Sequence, residues 1–385
     1  MLSWKDVKHN SEIIFFKITV YRWVAYTLLG FAVLAIDPFG LGNFSEEGSQ
    51  QVIYEVGGPL YDSSAREDIV IVLITKQSLA ALYDRRVTQT NEWPLLYQDW
   101  STILKTIAFH QPRAIFLDVY FEQERVVDPT LPRLLSTLDR FKGRLPIYFA
   151  GGMAPYDTGL LKKLGEKALL AGSAWQTDGN GVPLHQSGKA MAALQLYREA
   201  CRLKGDRLKG CNGDSGWTLP ESANPFPMSI VWGSRGALPM TAELEGRTED
   251  TFCDNNTDSV TDLAHSLVKS AMGDIWDWMI KRDSKTSVTC LFHRVIDANE
   301  LMLVFDQGSP EEKKLLSEAL ENKIVLVGTF FEGLPDIAES PTVGLVPGVA
   351  LHAMMLDNLM KFGPDYIRTA GLDSVPYNVA VWSFV

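Results

Sequence analysis

The run "DIVIVLI", Asp68 to Ile74, constrains this chain more than any other stretch. It is continuous, apolar and β-branched, the pattern of a strand covered on both faces rather than half-exposed to water. Such a strand needs helices above and below it, and the flanking sequence supplies them. In "PLLYQDWSTILKTIAFH", Pro94 to His110, the residues Leu96, Trp100, Ile103, Leu104 and Ile107 keep helical spacing behind a proline suited to a first turn. "RAIFLDVYF", Arg113 to Phe121, reads as the next strand and "PTLPRLLSTLDRF" as a helix. "RLPIYFAG" reads as a third strand and "ALLAGSAW" as a fourth.

A second block completes the alternation. In "SPEEKKLLSEALENKIVLVGTFFEGLPD", Ser309 can cap a helix with Glu312 three places on, a capping box. Lys323 to Gly328 is then a strand, and in "VGLVPGVALHAMMLDNLM", Val343 to Met360, a helix starts at Pro347 after a Gly/Pro-rich loop. Strand, helix and strand at this spacing imply right-handed crossovers. The expected fold is α/β, a largely parallel sheet with helices on both faces. Residues from about 204 to 287 are rich in Gly, Asp, Asn and Ser and read as a loop-rich, cysteine-bearing insertion.

The two ends of the chain are apolar. "ITVYRWVAYTLLGFAVLAI", Ile18 to Ile36, carries Arg22 as its only charge, and its 19 residues span about 28 Å as a helix, close to the thickness of a bilayer's hydrocarbon. Lys5, Lys8, Lys17 and Arg22 lie at or before its start, and Glu46, Glu47 and Glu55 follow it. The positive-inside rule places residues 1–17 in the cytoplasm, a transmembrane helix at 18–37 and an extracytoplasmic domain at 38–373. A signal peptide competes with that reading, but no small-x-small cleavage site follows the apolar core. A buried soluble helix is the other alternative. "SVPYNVAVWSFV", Ser374 to Val385, reads as the start of a second transmembrane helix, against a buried terminal strand or surface helix.

The formal net charge of −11 disfavours nucleic acid, whose phosphates call for a basic surface. Outside the cytoplasm, the four cysteines Cys201, Cys211, Cys253 and Cys290 are expected as disulfides. Three pairings are open, and the pairing nearest in sequence, 201 with 211 and 253 with 290, would tie down the insertion without crossing. There is no Cys-x-x-Cys, and His265 and His293 lack ligand spacing, so no metal is expected. "GDSG", Gly213 to Gly216, matches part of a serine-protease nucleophile sequence, but a nucleophilic serine needs a base, an acid and an oxyanion hole, and an ordinary turn favours the same residues. Walker, G-x-G-x-x-G and G-x-S-x-G motifs are missing, so no cofactor and no catalytic residue are expected.

Asp118 sits near the carboxyl end of the strand "RAIFLDVYF", the edge where open parallel sheets bind ligands. The loop after "IVLVG" reaches the same kind of edge, carries Asp336 and leads to His352. These three side chains can converge on one crevice. The competing reading has Asp118 capping a helix, Asp336 forming an Asx-turn, and His352 hydrogen-bonded to the Gly/Pro-rich loop.

"DIVIVLITKQSLAAL", "EWPLLYQDWSTILKTI", "RAIFLDVYFEQE" and "ENKIVLVGTFFEGLPDIAESPTVGLVPGVALHAMMLDNLM" together resemble the type 2 CHASE domain, a family of extracytoplasmic sensory domains of bacterial membrane receptors. Ser340-Pro341 stands where the family has Thr-Pro, and Glu92-Trp93-Pro94-Leu95 where it has Pro-Trp-Pro-Arg. Trp93 of that segment joins Asp118, Asp336 and His352 as a candidate ligand contact. The resemblance implies a non-enzymatic sensor in the bacterial inner membrane, with its domain in the periplasm. An unidentified signal would pass to a cytoplasmic output domain or partner protein, and a homodimer is expected by analogy. The alternatives are a hydrolase-like extracytoplasmic enzyme using Asp118, Asp336 and His352, or an assembly domain binding a partner protein through the insertion.

Overall fold

Ten strands run through the described residues. They are β1 (Ile69–Thr75), β2 (Ala114–Leu117), β3 (Ile147–Ala150), β4 (Leu169–Ala171), β5 (His185–Gln186), β6 (Lys189–Ala190), β7 (Arg294–Asp297), β8 (Ile324–Phe330), β9 (Ile337–Ser340) and β10 (Gly344–Pro347). Six of them form one all-parallel sheet in the order β4-β3-β2-β8-β1-β7. This computed structural model describes residues 58, 61–121, 123–152, 159–173, 181–186, 188–204, 208–211, 227–253, 290–331 and 336–368. All of these belong to the unit Tyr54–Val385. The expected membrane segments at 18–37 and 374–385, and the "GDSG" stretch, lie outside the described residues. Among the described residues, no helix is long and apolar enough to cross a membrane.

The strands alternate with α1 (Lys76–Asp84), α2 (Tyr97–Phe109), α3 (Leu131–Phe141), α4 (Gly159–Gly165), α5 (Ala192–Lys204), α6 (Met240–Leu244), α7 (Glu249–Phe252), α8 (Ala298–Gln307), α9 (Pro310–Leu320) and α10 (Gly348–Phe362). Because side chains alternate along a strand, each strand feeds two cores. Ile71, Leu73, Phe116 and Leu326 point into one core, with α5 and α10. Val70, Val72, Ile115, Leu117 and Val327 point into the other, with α1, α2, α3, α4, α8 and α9. Every residue of β1 before Thr75 is buried, as a continuous apolar run requires. Ser309 and Glu312 form the expected capping box at the start of α9.

Two expectations need correction. Pro94 does not open α2, which starts at Tyr97 with Leu96 as its N-cap. Leu95 is fully buried, and the Arg125 guanidinium donates to the carbonyls of Pro94 (3.1 Å) and Leu95 (2.7 Å), which holds this segment extended. Asp128 Oδ2 then accepts from the Tyr97 N–H at 2.8 Å, so a loop residue supplies the missing cap. The strand expected over 113–121 also stops early, at Leu117, where the chain leaves the sheet.

The disulfides are Cys201–Cys211 and Cys253–Cys290. They fasten the described parts of the insertion, where α6 packs beside β7 at the sheet edge.

Candidate functional site

The chain leaves neighbouring strands β2 and β8 in opposite directions. After β2 it runs to α3 on one face of the sheet, and after β8 to α10 on the other. Such a switch between adjacent strands opens a crevice at their carboxyl ends, where parallel α/β sheets hold ligands.

Asp118 is the first residue past β2, and its N–H donates to the Val327 carbonyl of β8 at 2.8 Å. It lies two residues beyond Phe116, so it faces the side of the sheet that α10 covers. Asp336 comes from the other side of the crevice. The β9–β10 hairpin pairs Ile337 with Pro347, which sets Asp336 opposite Gly348 at the head of α10. The Gly348 N–H donates to the Asp336 carbonyl at 3.1 Å. The Asp336 carboxylate packs so closely that a Cβ on Gly348 would stand 1.9 Å from its Oδ1. His352 follows one turn into the helix.

The structure therefore brings Asp118, Asp336 and His352 together. His352 Nε2 lies 3.7 Å from Asp118 Oδ1, with the His352 side chain fully buried and that of Asp118 only 9% exposed. The imidazole ring meets Phe116 edge-on at 5.4 Å. Burial lowers the His352 pKa to about 4, against the charge of Asp336 and the nearby Ser173 backbone, which favour the protonated ring. Burial likewise raises Asp118 to about 7. Asp336 is raised to about 7 by burial and then by the charge of Asp118, with His352 opposing.

Hydrogen bonding separates this group from the rest of α10. The helix is buried from Gly348 through Met360 and carries three polar residues there, His352, Asp357 and Asn358. Asp357 accepts from Tyr61 Oη at 2.5 Å and contacts His293 Nε2 at 3.2 Å. Asn358 bonds both the N–H and the carbonyl of Val231, at 2.9 and 3.0 Å. By contrast, neither ring nitrogen of His352, nor Asp118 Oδ2, has a hydrogen-bond partner among the described residues. The Ser173 backbone comes near the ring without hydrogen-bond geometry. Among the described residues, the expected hydrogen bond from His352 to the Gly/Pro-rich loop is thus not formed. Buried polar groups are almost always paired, and an unpaired one costs about 1–3 kcal/mol, so an open group in a satisfied helix asks for a partner.

Trp93 lies elsewhere. Its ring packs edge-on against Trp100 at 6.0 Å and tilted against Phe331 at 5.2 Å, beside the core on the opposite face. Sequence reasoning missed Arg125, which besides holding Pro94 and Leu95 stacks 4.4 Å over Tyr97 and pairs with Asp128 at 3.2 Å. Apart from nearby Asp128, no local signal marks such a residue, since the Pro94–Tyr97 segment that it holds lies some thirty positions away. A cleft of about 530 Å³ opens at the carboxyl ends of β1 and β7, away from this group. Its charged groups are already satisfied: Glu300 accepts from Thr241 at 3.0 Å, Asp297 from Ser78 at 2.6 Å, and Arg247 pairs with Glu245 at 2.9 Å. Among the described residues, no group of three or more His, Cys, Asp or Glu side chains is placed to hold a metal ion.

Open parallel α/β sheets in general recognise ligands at such a switch between strands. The family model of the CHASE2 domain matches residues 31–385, and the chain belongs to that family of sensory domains. No curated protein and no solved structure matches the chain.

Proposed function

We propose that the chain is the extracytoplasmic sensory domain of a bacterial membrane receptor, anchored through residues 18–37, with the Asp118–Asp336–His352 group as its ligand site. The observation that carries this reading is the open polar group at the head of an otherwise satisfied helix. Membership of a sensory family supports it. Helix α10 also joins the two places a sensor must connect. His352 sits toward one end, and toward the other Asp357 holds Tyr61, which lies just ahead of the short helix Ser64–Asp68 that leads into β1. Occupying the site would favour one of two positions of α10, and the shift would reach the chain's approach to the membrane. The output is a cytoplasmic domain or partner protein, and the receptor works as a homodimer. These residues themselves turn over no substrate.

Alkaline phosphatase fused after Arg368 in bacterial cells tests the topology, because it is active only outside the cytoplasm; an inactive fusion sinks the anchored reading. Hydrogen exchange tests the coupling. His352→Gln should change amide protection at residues 61–68, and unchanged protection there means α10 does not transmit.

A further inference from the structure

We propose that the Asp118–Asp336–His352 group receives the protonated amine of a small organic ligand, an inference that rests on the reading of this group as the sensor's site. The first argument is charge. Two carboxyl groups face one imidazole, and no lysine or arginine is among the groups whose charges act on them. The second is hydrogen-bonding capacity. A carboxylate only accepts, and a neutral imidazole offers one donor and one acceptor, so the group is rich in acceptors and short of donors. A primary ammonium has three donors and no acceptor. The 3.7 Å between His352 and Asp118 is too long for a direct hydrogen bond, and Asp118 Oδ2 and both ring nitrogens stay without partners among the described residues.

The third argument separates an amine from a metal. Among the described residues, no group of three or more acidic, histidine or cysteine side chains is spaced to hold a metal ion. An ammonium holds its acceptors about 2.7–2.9 Å from its nitrogen, farther out than the roughly 2.0–2.6 Å of metal–ligand bonds. Gly348 contributes as well, since its missing Cβ lets the Asp336 carboxylate lie against the head of α10, beside the turn that carries His352. With pKa values raised to about 7, both carboxyls are about half ionised at pH 7, so an arriving cation would complete their ionisation and release protons.

The experiment uses the whole chain, purified in detergent, with its histidines labelled with nitrogen-15. The His352 ring signals are assigned by their loss in His352→Gln. The probes are ethanolamine and putrescine; the controls are tetramethylammonium, ethylene glycol and acetate. Ethanolamine or putrescine should move the His352 signals and raise the melting temperature. Asp118→Asn and Asp336→Asn should each weaken that response by roughly tenfold or more, as loss of a charge-assisted bond implies. Two variants are used so that a fold defect in one leaves the other informative. The proposal fails if tetramethylammonium acts as well as ethanolamine, or if both variants respond like the parent. If only ethylene glycol or acetate moves the His352 signals, the amine is wrong while the ligand site stands. If no probe moves them, the amine and the site fall together.

Discussion

Nε2 of His352 stands 3.7 Å from Oδ1 of Asp118, beside it in the same buried group yet too far to share a hydrogen. Helix α10 carries a second histidine–aspartate contact, His293 to Asp357, at 3.2 Å, and there the carboxylate is closed by Tyr61 as well. One pair is complete and the other open, although both are buried. Their different chemistry should separate them in simple measurements.

Replacing each histidine by leucine should have opposite effects on stability. His293→Leu strips a buried carboxylate of one partner and should cost about 3 kcal/mol. His352→Leu removes two unpaired ring nitrogens and should leave stability unchanged or raise it by about 1 kcal/mol. Urea unfolding of the two purified variants decides. A large loss in His352→Leu would mean that its ring is already bonded.

The open group should also leave a mark on the pH dependence of stability. Asp118 and Asp336 have folded pKa values raised to about 7 from 3.8, so the folded chain holds protons that the unfolded chain has lost. Their contribution is full below about pH 4 and is lost as pH rises through 7. His352, lowered to about 4 from 6.5, opposes them: its contribution is full above 6.5 and lost as pH falls toward 4. Two protons against one leave stability falling between pH 4 and 6.5 by roughly 1.4 kcal/mol per unit. The double variant Asp118→Asn, Asp336→Asn keeps only the histidine, so its stability relative to the parent should rise with pH across that window. A flat difference, measured by thermal melts in a buffer series, would contradict the burial of these carboxyls.

Gly348→Ala should fail to stabilise, although alanine in place of glycine usually favours a helix by about 1 kcal/mol. The new Cβ would stand 1.9 Å from Asp336 Oδ1, so the carboxylate must move away. The expected result is an unchanged or lower melting temperature and a shift of the His352 ring signals. A higher melting temperature with unmoved signals would show that Asp336 does not depend on this contact.

The two disulfides should differ in worth. Cys253–Cys290 closes a separation of 37 residues and Cys201–Cys211 one of 10. Longer loops lose more unfolded-state entropy on cross-linking, so replacing the first pair by serines should cost about 1 kcal/mol more than replacing the second. Paired serine variants in denaturant titrations test the order, and equal losses would point to native-state packing at the buried Cys201 and Cys211 instead.

Local chemistry was legible in the residue string. The unbroken apolar runs of β1 and β8 can exist only under helices on both faces, and the structure shows those helices. The Ser309–Glu312 box closes on itself within four residues, so spacing alone announces it. Asp118 was legible as a strand-end carboxylate for the same reason: period and position are local properties.

What only the tertiary structure decided is which of these elements meet. The chain inserts β8 between β1 and β2, and that order brings Asp118 to the loop and helix that follow β8, more than two hundred residues further along. The pairing of Ile337 with Pro347 then turns Asp336 onto Gly348. Trp93, grouped with these residues through its motif, packs on the opposite core because Trp100 and Phe331 offer it a surface there. His293 and His352 look alike as letters, yet one is bonded and the other open. The physical reason is that burial and partners depend on long-range packing, whereas periodicity, capping and charge are carried by neighbours along the chain.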